Sequence, residues 1–194
     1  MSTVLINFLG QPGSGKSVLG TQLYSELKIR DYEVEFVNEF VKTWTYTGRK
    51  VNKFGQYYIF GQETEQQSRL FNKVDFIIAD SPVLLTSFYQ QHYWGSDALV
   101  IPAKEFYKFA EEEGVKVVNL FIDRKFKYNP KGRFQTEEES EEVRKELLQF
   151  LDENGYDYHH LKVPVKERIS TILEILGVDK DESAELPAVE TSSI

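Results

Sequence analysis

Cysteine is absent from the 194 residues of the chain, and histidine occurs only three times, as His92, His159 and His160. The absence of cysteine excludes disulfide bonds, thiolate catalysis and cysteine-ligated zinc, and so few histidines argue against a histidine-rich metal site. Long apolar runs are missing too, since none approaches the roughly 18 residues that span a bilayer. The first residues also lack the basic start of a secretory signal. We therefore expect a cytoplasmic protein with no membrane partner.

The overall composition is typical of a folded globular protein, with 41% hydrophobic and 28% charged residues. The length suits a single domain, which we place at residues 1–178. Residues 179–194 contain five acidic residues, one basic residue and no apolar periodicity, so they are predicted to be a disordered acidic tail. The net charge of −8 argues against a broad nucleic-acid-binding surface but is compatible with a local basic site.

Strands and helices are predicted to alternate along the chain. Short apolar or alternating runs that suit strands occupy residues 4–9, 33–37, 76–79, 115–122 and 158–163. Helical stretches separate them, and the first, from Lys16 to about Arg30, repeats its apolar residues at three- and four-residue steps. Parallel strands need crossover connections that put helices on both faces of the sheet. The pattern therefore predicts a three-layer α/β fold with a five-stranded parallel sheet.

Two segments interrupt this alternation. One is the aromatic and polar stretch at about residues 40–70, and the other is the charged stretch at about residues 124–142. Insertions over the carboxyl ends of parallel strands usually carry function. The acidic run 137–142 is predicted to open a solvated helix rather than to bind metal, because its acids spread around the helix axis. Both segments are expected to border the functional site.

A complete G-x-x-x-x-G-K-[ST] pattern stands at residues 10–17, with a predicted strand before it and a predicted helix after it. Its glycines let the backbone curl around a phosphate and turn successive N–H groups inward as an anion nest. The following helix adds the positive end of its dipole. An ordinary glycine loop without a ligand is the alternative. The residues predicted to bind nucleotide are Gly10, Gly13, Ser14, Gly15, Lys16, Ser17 and Val18.

The same loop predicts a site for a divalent metal ion. Lys16 is placed to bridge the β- and γ-phosphates of a nucleotide, and the Ser17 hydroxyl is a suitable ligand for Mg²⁺. The third predicted strand ends at Asp80, which delivers a carboxylate to the same edge of the sheet. Asp80 could instead cap the helix that follows Pro82, since aspartate is a favoured N-cap residue. The predicted metal ligands are Ser17 and Asp80, and the predicted cofactors are ATP and Mg²⁺.

With this loop, the chain resembles the P-loop NTPases and, by its short length, the nucleoside and nucleotide kinases among them. The resemblance implies the three-layer P-loop NTPase fold with the strand order 2-3-1-4-5. It also implies ATP-dependent transfer of a phosphoryl group. In small-substrate kinases that resemble this chain, an acid after the second strand grips or deprotonates the acceptor hydroxyl. Glu39 stands at that position and is the candidate base, with a strand-end surface acid as the alternative.

A basic lid is predicted directly after the fourth strand. Residues 124–133 contain five bases and no acid. Such a lid can bring guanidinium groups to a γ-phosphate as charge develops on it. Arg124 and Arg133 are preferred over the lysines because a planar guanidinium contacts phosphate oxygens in two places. A solvated basic loop that pairs with the following acidic run is the alternative. The predicted catalytic residues are Lys16, Glu39, Asp80, Arg124 and Arg133.

The pattern Asp-Arg-x-x-x-Tyr-x-Pro-x-Gly-Arg-x-Gln at residues 123–135 is similar to the NadR-type, nicotinamide-riboside-kinase-like family, which includes many viral members classed only as AAA-type ATPases. Glu39, Gln62 and the Asp-Ser-Pro of residues 80–82 also resemble the pattern of that family. The resemblance spans residues 3–177.

The acceptor pocket is assigned to the segment that contains Trp44 and Arg49 and to the helix that carries Gln62. Aromatic rings stack on bases, and glutamine amides hydrogen-bond the edge of a base or ribose. The predicted substrate-binding residues are therefore Glu39, Trp44, Arg49 and Gln62. The acceptor is expected to be a nucleoside-like small molecule.

Three functions are compatible with these residues. The main hypothesis is a kinase for a hydroxyl of a nucleoside, nucleotide or similar small molecule, because a complete phosphate loop accompanies a basic lid in a compact chain. The second is a kinase for a hydroxyl within nucleic acid, such as a modified base or a 5′ end, which the basic and aromatic segments could hold. The third is a non-catalytic nucleotide-binding module that regulates a partner.

Overall fold

The computed structural model describes residues 2–129 and 136–178. Its strands are β1 (Val4–Leu9), β2 (Val34–Val37), β3 (Phe76–Ala79), β4 (Lys116–Phe121) and β5 (His159–His160). Its helices are α1 (Lys16–Ile29), α2 (Lys42–Tyr46), α3 (Gly55–Ser68), α4 (Val83–Trp94), α5 (Val100–Glu112), α6 (Glu137–Glu153) and α7 (Arg168–Leu176). The predicted acidic tail and Arg133 of the predicted lid lie outside the described residues.

The five strands form one parallel sheet in the order β2-β3-β1-β4-β5. The central strand β1 has two partners, since Val4 pairs with Phe76 of β3 on one side and with Lys116 of β4 on the other. This arrangement confirms the predicted α/β fold and its strand order. The predicted helix at the acidic run is also confirmed, because α6 begins at Glu137 behind a capping box made by Thr136 and Glu139.

The last strand is shorter than predicted. Only His159 and His160 pair with β4, whereas the sequence suggested a strand over residues 158–163. The Lys162 N–H donates to the His160 carbonyl at 2.9 Å, so the chain makes a tight turn directly after the pairing. The sheet therefore ends in a two-residue edge strand.

Two hydrophobic cores cover the two faces of the sheet. In β1, Leu5 and Leu9 face a core built mainly with α4, α5 and α6, while Ile6 and Phe8 face a second core built with α1 and α7. Because both faces are covered, the strand is apolar at almost every position. None of the helices in the described ranges is long and apolar enough to cross a membrane.

The carboxyl ends of the strands assemble the region where function is expected. The backbone N–H of Asp80, just after β3, donates to the Val37 carbonyl at the end of β2 at 3.1 Å. The Ile122 N–H, just after β4, donates to the Leu9 carbonyl at the end of β1 at 2.8 Å. These bonds bring the loops after four strands to one edge of the sheet, as expected for parallel α/β folds.

Candidate active site

The loop between β1 and α1 has the backbone conformation needed to surround an anion. Gly10, Gly13 and Gly15 have φ values of 144°, 80° and 94°. Gly10 also lies very close to the end of β4, because a Cβ at this position would be 2.4 Å from the Ile122 carbonyl oxygen. α1 begins at Lys16 with no side-chain cap on its first turn. The amino end of this helix is therefore suited to bind an anion.

Three polar atoms of the loop and of Asp80 are buried without a hydrogen-bond partner in the described part of the chain. They are the Oε1 atom of Gln11, the hydroxyl of Ser14 and the Oδ1 atom of Asp80. Leaving such a group unpaired costs about 1–3 kcal/mol. Unpaired buried polar atoms on both sides of a phosphate-binding loop indicate a site that is completed by a polar ligand.

The side chain of Lys16 lies along the loop. Its ammonium donates to the Gly10 carbonyl at 2.8 Å and to the Gln11 carbonyl at 3.3 Å. These bonds place a positive charge beside the nest of backbone N–H groups. Val18, also predicted to contact nucleotide, is exposed on α1.

Ser17 and Asp80, predicted from sequence as metal ligands, are brought together across 63 positions of the chain. The Ser17 hydroxyl donates to Asp80 Oδ2 at 2.6 Å, and the second carboxylate oxygen of Asp80 is the unpaired atom described above. The N-cap of α4 is Pro82, which has no side-chain capping bond. Asp80 therefore faces Ser17 and does not act as a helix cap.

These two side chains fit Mg²⁺ in their chemistry. Mg²⁺ is commonly bound through one or two protein oxygen ligands together with phosphates and water. Within residues 2–129 and 136–178 there is no cluster of three or more histidine, aspartate or glutamate residues that could hold a metal without such help. Any metal at this site would therefore depend on phosphate or water for its remaining ligands.

A buried acid that the sequence analysis missed lies next to this pair. Glu63 of α3 is only 1% exposed, and its carboxylate accepts hydrogen bonds from Ser81, at 2.9 Å, and from Thr86. Burial raises the pKa of Glu63 from 4.5 to about 8; the hydrogen bonds oppose this rise and the negative charge of Glu39 adds to it. Ser81 directly follows Asp80, so Glu63 holds the turn that carries the predicted metal ligand.

The hydropathy of the sequence did not indicate that Glu63 is buried, because the buried face of α3 is mostly polar. The buried residues of this helix are Gln56, Ile59, Glu63 and Gln67. Their spacing is helical, but hydropathy does not distinguish them from solvated residues. Gln62, the residue chosen from sequence, is the neighbour of Glu63 and is partly exposed.

Glu39 lies where the sequence analysis expected it, two residues beyond the end of β2. It is partly buried, and its charge acts on Glu63. The Asp80 N–H donates to the carbonyl of Val37, the last residue of β2, and β2 pairs with β3. Glu39 and Asp80 therefore follow neighbouring strands at one edge of the sheet.

Trp44 and Arg49, predicted to bind the acceptor, contact each other. The Arg49 guanidinium carbon lies 3.5 Å from the centroid of the Trp44 ring system. Tyr58 stacks on Trp44 with 6.4 Å between centroids and 13° between planes. Phe40 contacts both Trp44 and Tyr58 edge-on. Trp44 is buried and therefore anchors α2 to α3.

The part of the predicted lid that the structure describes lies against the phosphate loop. Phe126 contacts Gly15, since a Cβ on Gly15 would be 3.6 Å from the Phe126 ring. Arg124 pairs with Glu137 at 2.6 Å and lies over the Tyr128 ring at 5.3 Å. Arg124 therefore pairs with the acidic run, as the alternative interpretation of the basic loop expected.

The helix after the lid is fastened to the phosphate loop. The buried Ser140 hydroxyl donates to the Pro12 carbonyl at 2.8 Å, and Gln11 donates to Glu141 at 3.4 Å. Both contacts join the first turns of α6 to the loop from a distance of about 130 positions in sequence. A shift of α6 would therefore move the phosphate loop as well.

Asp123 anchors the start of the lid. Partial burial alone would raise its pKa, but hydrogen bonds from Arg144 at 2.7 Å and from His160 at 2.8 Å lower the pKa of this carboxyl. Its backbone carbonyl also accepts a bond from Arg168 at 2.8 Å. Arg124 thus follows a residue that three side chains hold in place.

Two solved structures that share this fold are kinases. Deoxyadenosine kinase from M. mycoides, with products dCMP and dCDP bound, is 18% identical with a TM-score of 0.59, covering 90% of this chain and 100% of that chain. The APS kinase CysC of Mycobacterium tuberculosis is 10% identical with a TM-score of 0.53, covering 91% of this chain and 99% of that chain. At these identities, the likeness establishes a shared fold.

No curated protein matches the chain. A family model does match, and it covers residues 5–168, from the first strand to the start of α7. This range includes the phosphate loop, Asp80 and the lid. The chain therefore belongs to the AAA domain family.

Proposed function

We propose that the protein is an ATP- and Mg²⁺-dependent kinase that transfers the γ-phosphoryl group to a hydroxyl of a nucleoside, nucleotide or similar small molecule. The main supporting observation is the 2.6 Å contact between the Ser17 hydroxyl and the buried carboxylate of Asp80 beside the phosphate loop. A hydroxyl and a carboxylate with one unpaired oxygen are the ligands that P-loop enzymes use for Mg²⁺. The fold shared with nucleoside kinases supports a small acceptor.

In this proposal, the donor side is built by the phosphate loop. Lys16 and the N–H groups at the start of α1 would hold the β- and γ-phosphates, and Ser17 and Asp80 would hold Mg²⁺. When bound, Mg²⁺ neutralises charge on the phosphates and aligns them. The Arg124 side chain is 12% exposed and that of its partner Glu137 is 57% exposed, so a phosphate would take the place of the Glu137 carboxylate at this guanidinium.

The acceptor side is assigned to Glu39 and the insertion that follows it. Glu39 would bind the acceptor hydroxyl or take its proton, and alignment of the two substrates would supply most of the rate enhancement. Gln62 is proposed to contact the acceptor. Trp44 and Arg49, which pack on each other, would form a wall of the pocket. Arg133 is proposed as a second guanidinium for the transferred group.

A screen with labelled ATP tests the proposal. Nucleosides, nucleotides and nicotinamide riboside are offered as acceptors, and label transfer to each is measured together with ATP binding. Lys16→Ala should abolish both binding and transfer. Glu39→Gln should abolish transfer with ATP binding kept. Glu35→Gln, which changes an exposed acid in β2 shortly before Glu39, is the matched control and should change neither.

Two results would contradict the proposal. Transfer of label to water alone, with every acceptor, would mean that the protein is a hydrolase. Tight ATP binding with turnover that is equal in the Glu39→Gln and Glu35→Gln variants would favour the non-catalytic nucleotide-binding module.

A further inference from the structure

The surface around α2 and the start of α3 differs in charge from the rest of the protein. Between Glu39 and Glu63 the sequence has no acid and four bases, in a chain with a net charge of −8. All four bases are exposed, and four exposed aromatic residues lie among them. We call this the 42–58 surface, and its members are Lys42, Arg49, Lys50, Lys53, Tyr46, Phe54, Tyr57 and Tyr58.

Packing within the protein does not explain the exposed rings of this surface. Tyr46 is 78% exposed and Phe54 is 73% exposed, whereas Trp44 and Ile59 supply the buried anchors of the same segment. A large ring left in water loses roughly 1.5–3 kcal/mol of burial energy. Several such rings within one short segment indicate a surface that a partner covers.

The rings and cations of this surface are already arranged against each other. Arg49 and Tyr58 both contact Trp44: the guanidinium lies over the Trp44 ring, and the Tyr58 ring is nearly parallel to it. Lys53 lies 5.2 Å from the centroid of the Phe54 ring. Aromatic faces next to cations are the arrangement that holds stacked bases and their phosphates.

The charge of the surface selects among partners. Arg49, Lys50 and Lys53 take part in none of the ion pairs between described residues, so no carboxylate in that part of the chain neutralises their charges. A second copy of the chain docked through this face would bring the same positive charges into contact. A polyanion would instead bring negative charges to this surface. Salt screens charges over about 10 Å, so acids elsewhere on the protein do not cancel the positive potential here.

We infer that the 42–58 surface binds single-stranded nucleic acid, with bases stacked on its exposed rings and phosphates bound by its lysines and Arg49. The 42–58 surface adjoins the candidate active site, because it begins three residues after Glu39 and continues into α3, the helix that carries Glu63. The inference goes beyond the proposed function, since it concerns binding and requires no phosphoryl transfer.

Fluorescence anisotropy of the full chain measures this binding without ATP. The probes are labelled oligothymidylate and oligouridylate of about 20 nucleotides, and of shorter lengths down to the mononucleotide. We expect affinity to rise with length up to roughly 4–16 nucleotides. Affinity should also fall with salt, with a log–log slope of about −0.7 for each phosphate contact.

Two double variants locate the contact. Lys50→Ala with Lys53→Ala should flatten the salt slope by about 1.4. Tyr46→Ala with Phe54→Ala should weaken binding at least about fivefold for each ring that carries a base. Lys73→Ala with Lys116→Ala is the control with the same change in charge; both residues are exposed at the amino ends of β3 and β4. It should leave the slope unchanged.

Four outcomes would overturn the inference. The first is no binding of either oligonucleotide at low salt. The second is equal affinity for the mononucleotide and the long oligonucleotide, which would assign the surface to a small anionic acceptor. The third is an equal effect of the surface and control lysine variants, which would mean that net charge alone drives binding. Concentration-dependent dimerisation that the Tyr46→Ala and Phe54→Ala changes abolish would assign the surface to a second copy.

Discussion

Replacement of Glu63 by glutamine should make the protein more stable at neutral pH. The wild-type carboxyl has a pKa of about 8 in the folded protein, against 4.5 for the ordinary side chain. Between these values the unfolded chain has released the proton that the folded protein still holds. The unfolded state therefore binds one proton fewer, and the free energy of unfolding falls as the pH rises.

The size of this effect follows from the difference between the two pKa values of Glu63. The fall is about 1.4 kcal/mol for each pH unit while only the unfolded state is ionised. Over the whole range from 4.5 to about 8 the difference amounts to roughly 3 to 5 kcal/mol. Above the folded-state pKa both states are ionised, and the difference stays constant.

Urea denaturation of the wild type and of Glu63→Gln at several pH values measures this difference. The amide keeps the shape of the side chain and can still bond the hydroxyls of Ser81 and Thr86, but it does not titrate. The stability of the variant relative to the wild type should therefore rise steadily between about pH 5 and pH 8. Glu65→Gln, at an exposed position on the same helix, is the control and should change the stability by less than about 1 kcal/mol. If the difference in the free energy of unfolding between the wild type and Glu63→Gln did not change with pH, the reasoning would be refuted.

Three other substitutions test contacts around the site. Gly10→Ala should cost at least about 3 kcal/mol and prevent nucleotide binding, because the new Cβ would meet the Ile122 carbonyl; thermal unfolding and ATP titration measure both effects. Ser140→Ala should cost about 1–2 kcal/mol and weaken ATP binding, because the Pro12 carbonyl loses a buried donor. Asp123→Asn should cost about 2 kcal/mol at neutral pH, and this cost should disappear in acid as the wild-type carboxyl, whose pKa is lowered from 3.8, becomes protonated.

Each of these substitutions has a matched control in the same protein. Gly61→Ala places a Cβ in open space within α3 and should not destabilise the fold. Ser170→Ala removes an exposed hydroxyl that bonds within its own helix, and it should leave ATP affinity unchanged. Asp97→Asn changes an exposed acid and should alter the stability at neutral pH by less than about 0.5 kcal/mol. If the site variants behave like these controls, the contacts described for them do not matter in solution.

The hydrogen bonds between α6 and the phosphate loop connect the predicted lid to the predicted nucleotide site. Ser140 and Gln11 join the two elements, and Asp123 holds the start of the segment between β4 and α6. If the predicted lid moves, these hydrogen bonds connect its start to the phosphate loop by a route that does not pass through a nucleotide. Weaker ATP binding in Ser140→Ala than in Ser170→Ala, measured where both variants remain folded, would show that the α6 contact supports the loop.

The phosphate loop and the strand pattern could be predicted because they depend on residues that are close in sequence. Gly10 and Lys16 belong to one short motif, and the burial of a parallel strand on both faces leaves a continuous apolar run such as β1. The end of β5 was predicted too late, because the turn at His160 depends on a backbone bond that leaves no hydropathy signal. Asp80 was found because a strand delivers it to the edge of the sheet.

The sequence by itself determined the α/β alternation, the anion-binding loop and the acids after β2 and β3, since each follows from local periodicity, glycine content or position at a strand end. Only the tertiary structure decided which distant side chains meet. It paired Ser17 with Asp80, buried Glu63 against Ser81 and Thr86, and stacked Arg49 on Trp44. The physical reason is that burial and partner charge, which set the pKa of Glu63 and the exposure of each ring, depend on elements far apart in the chain.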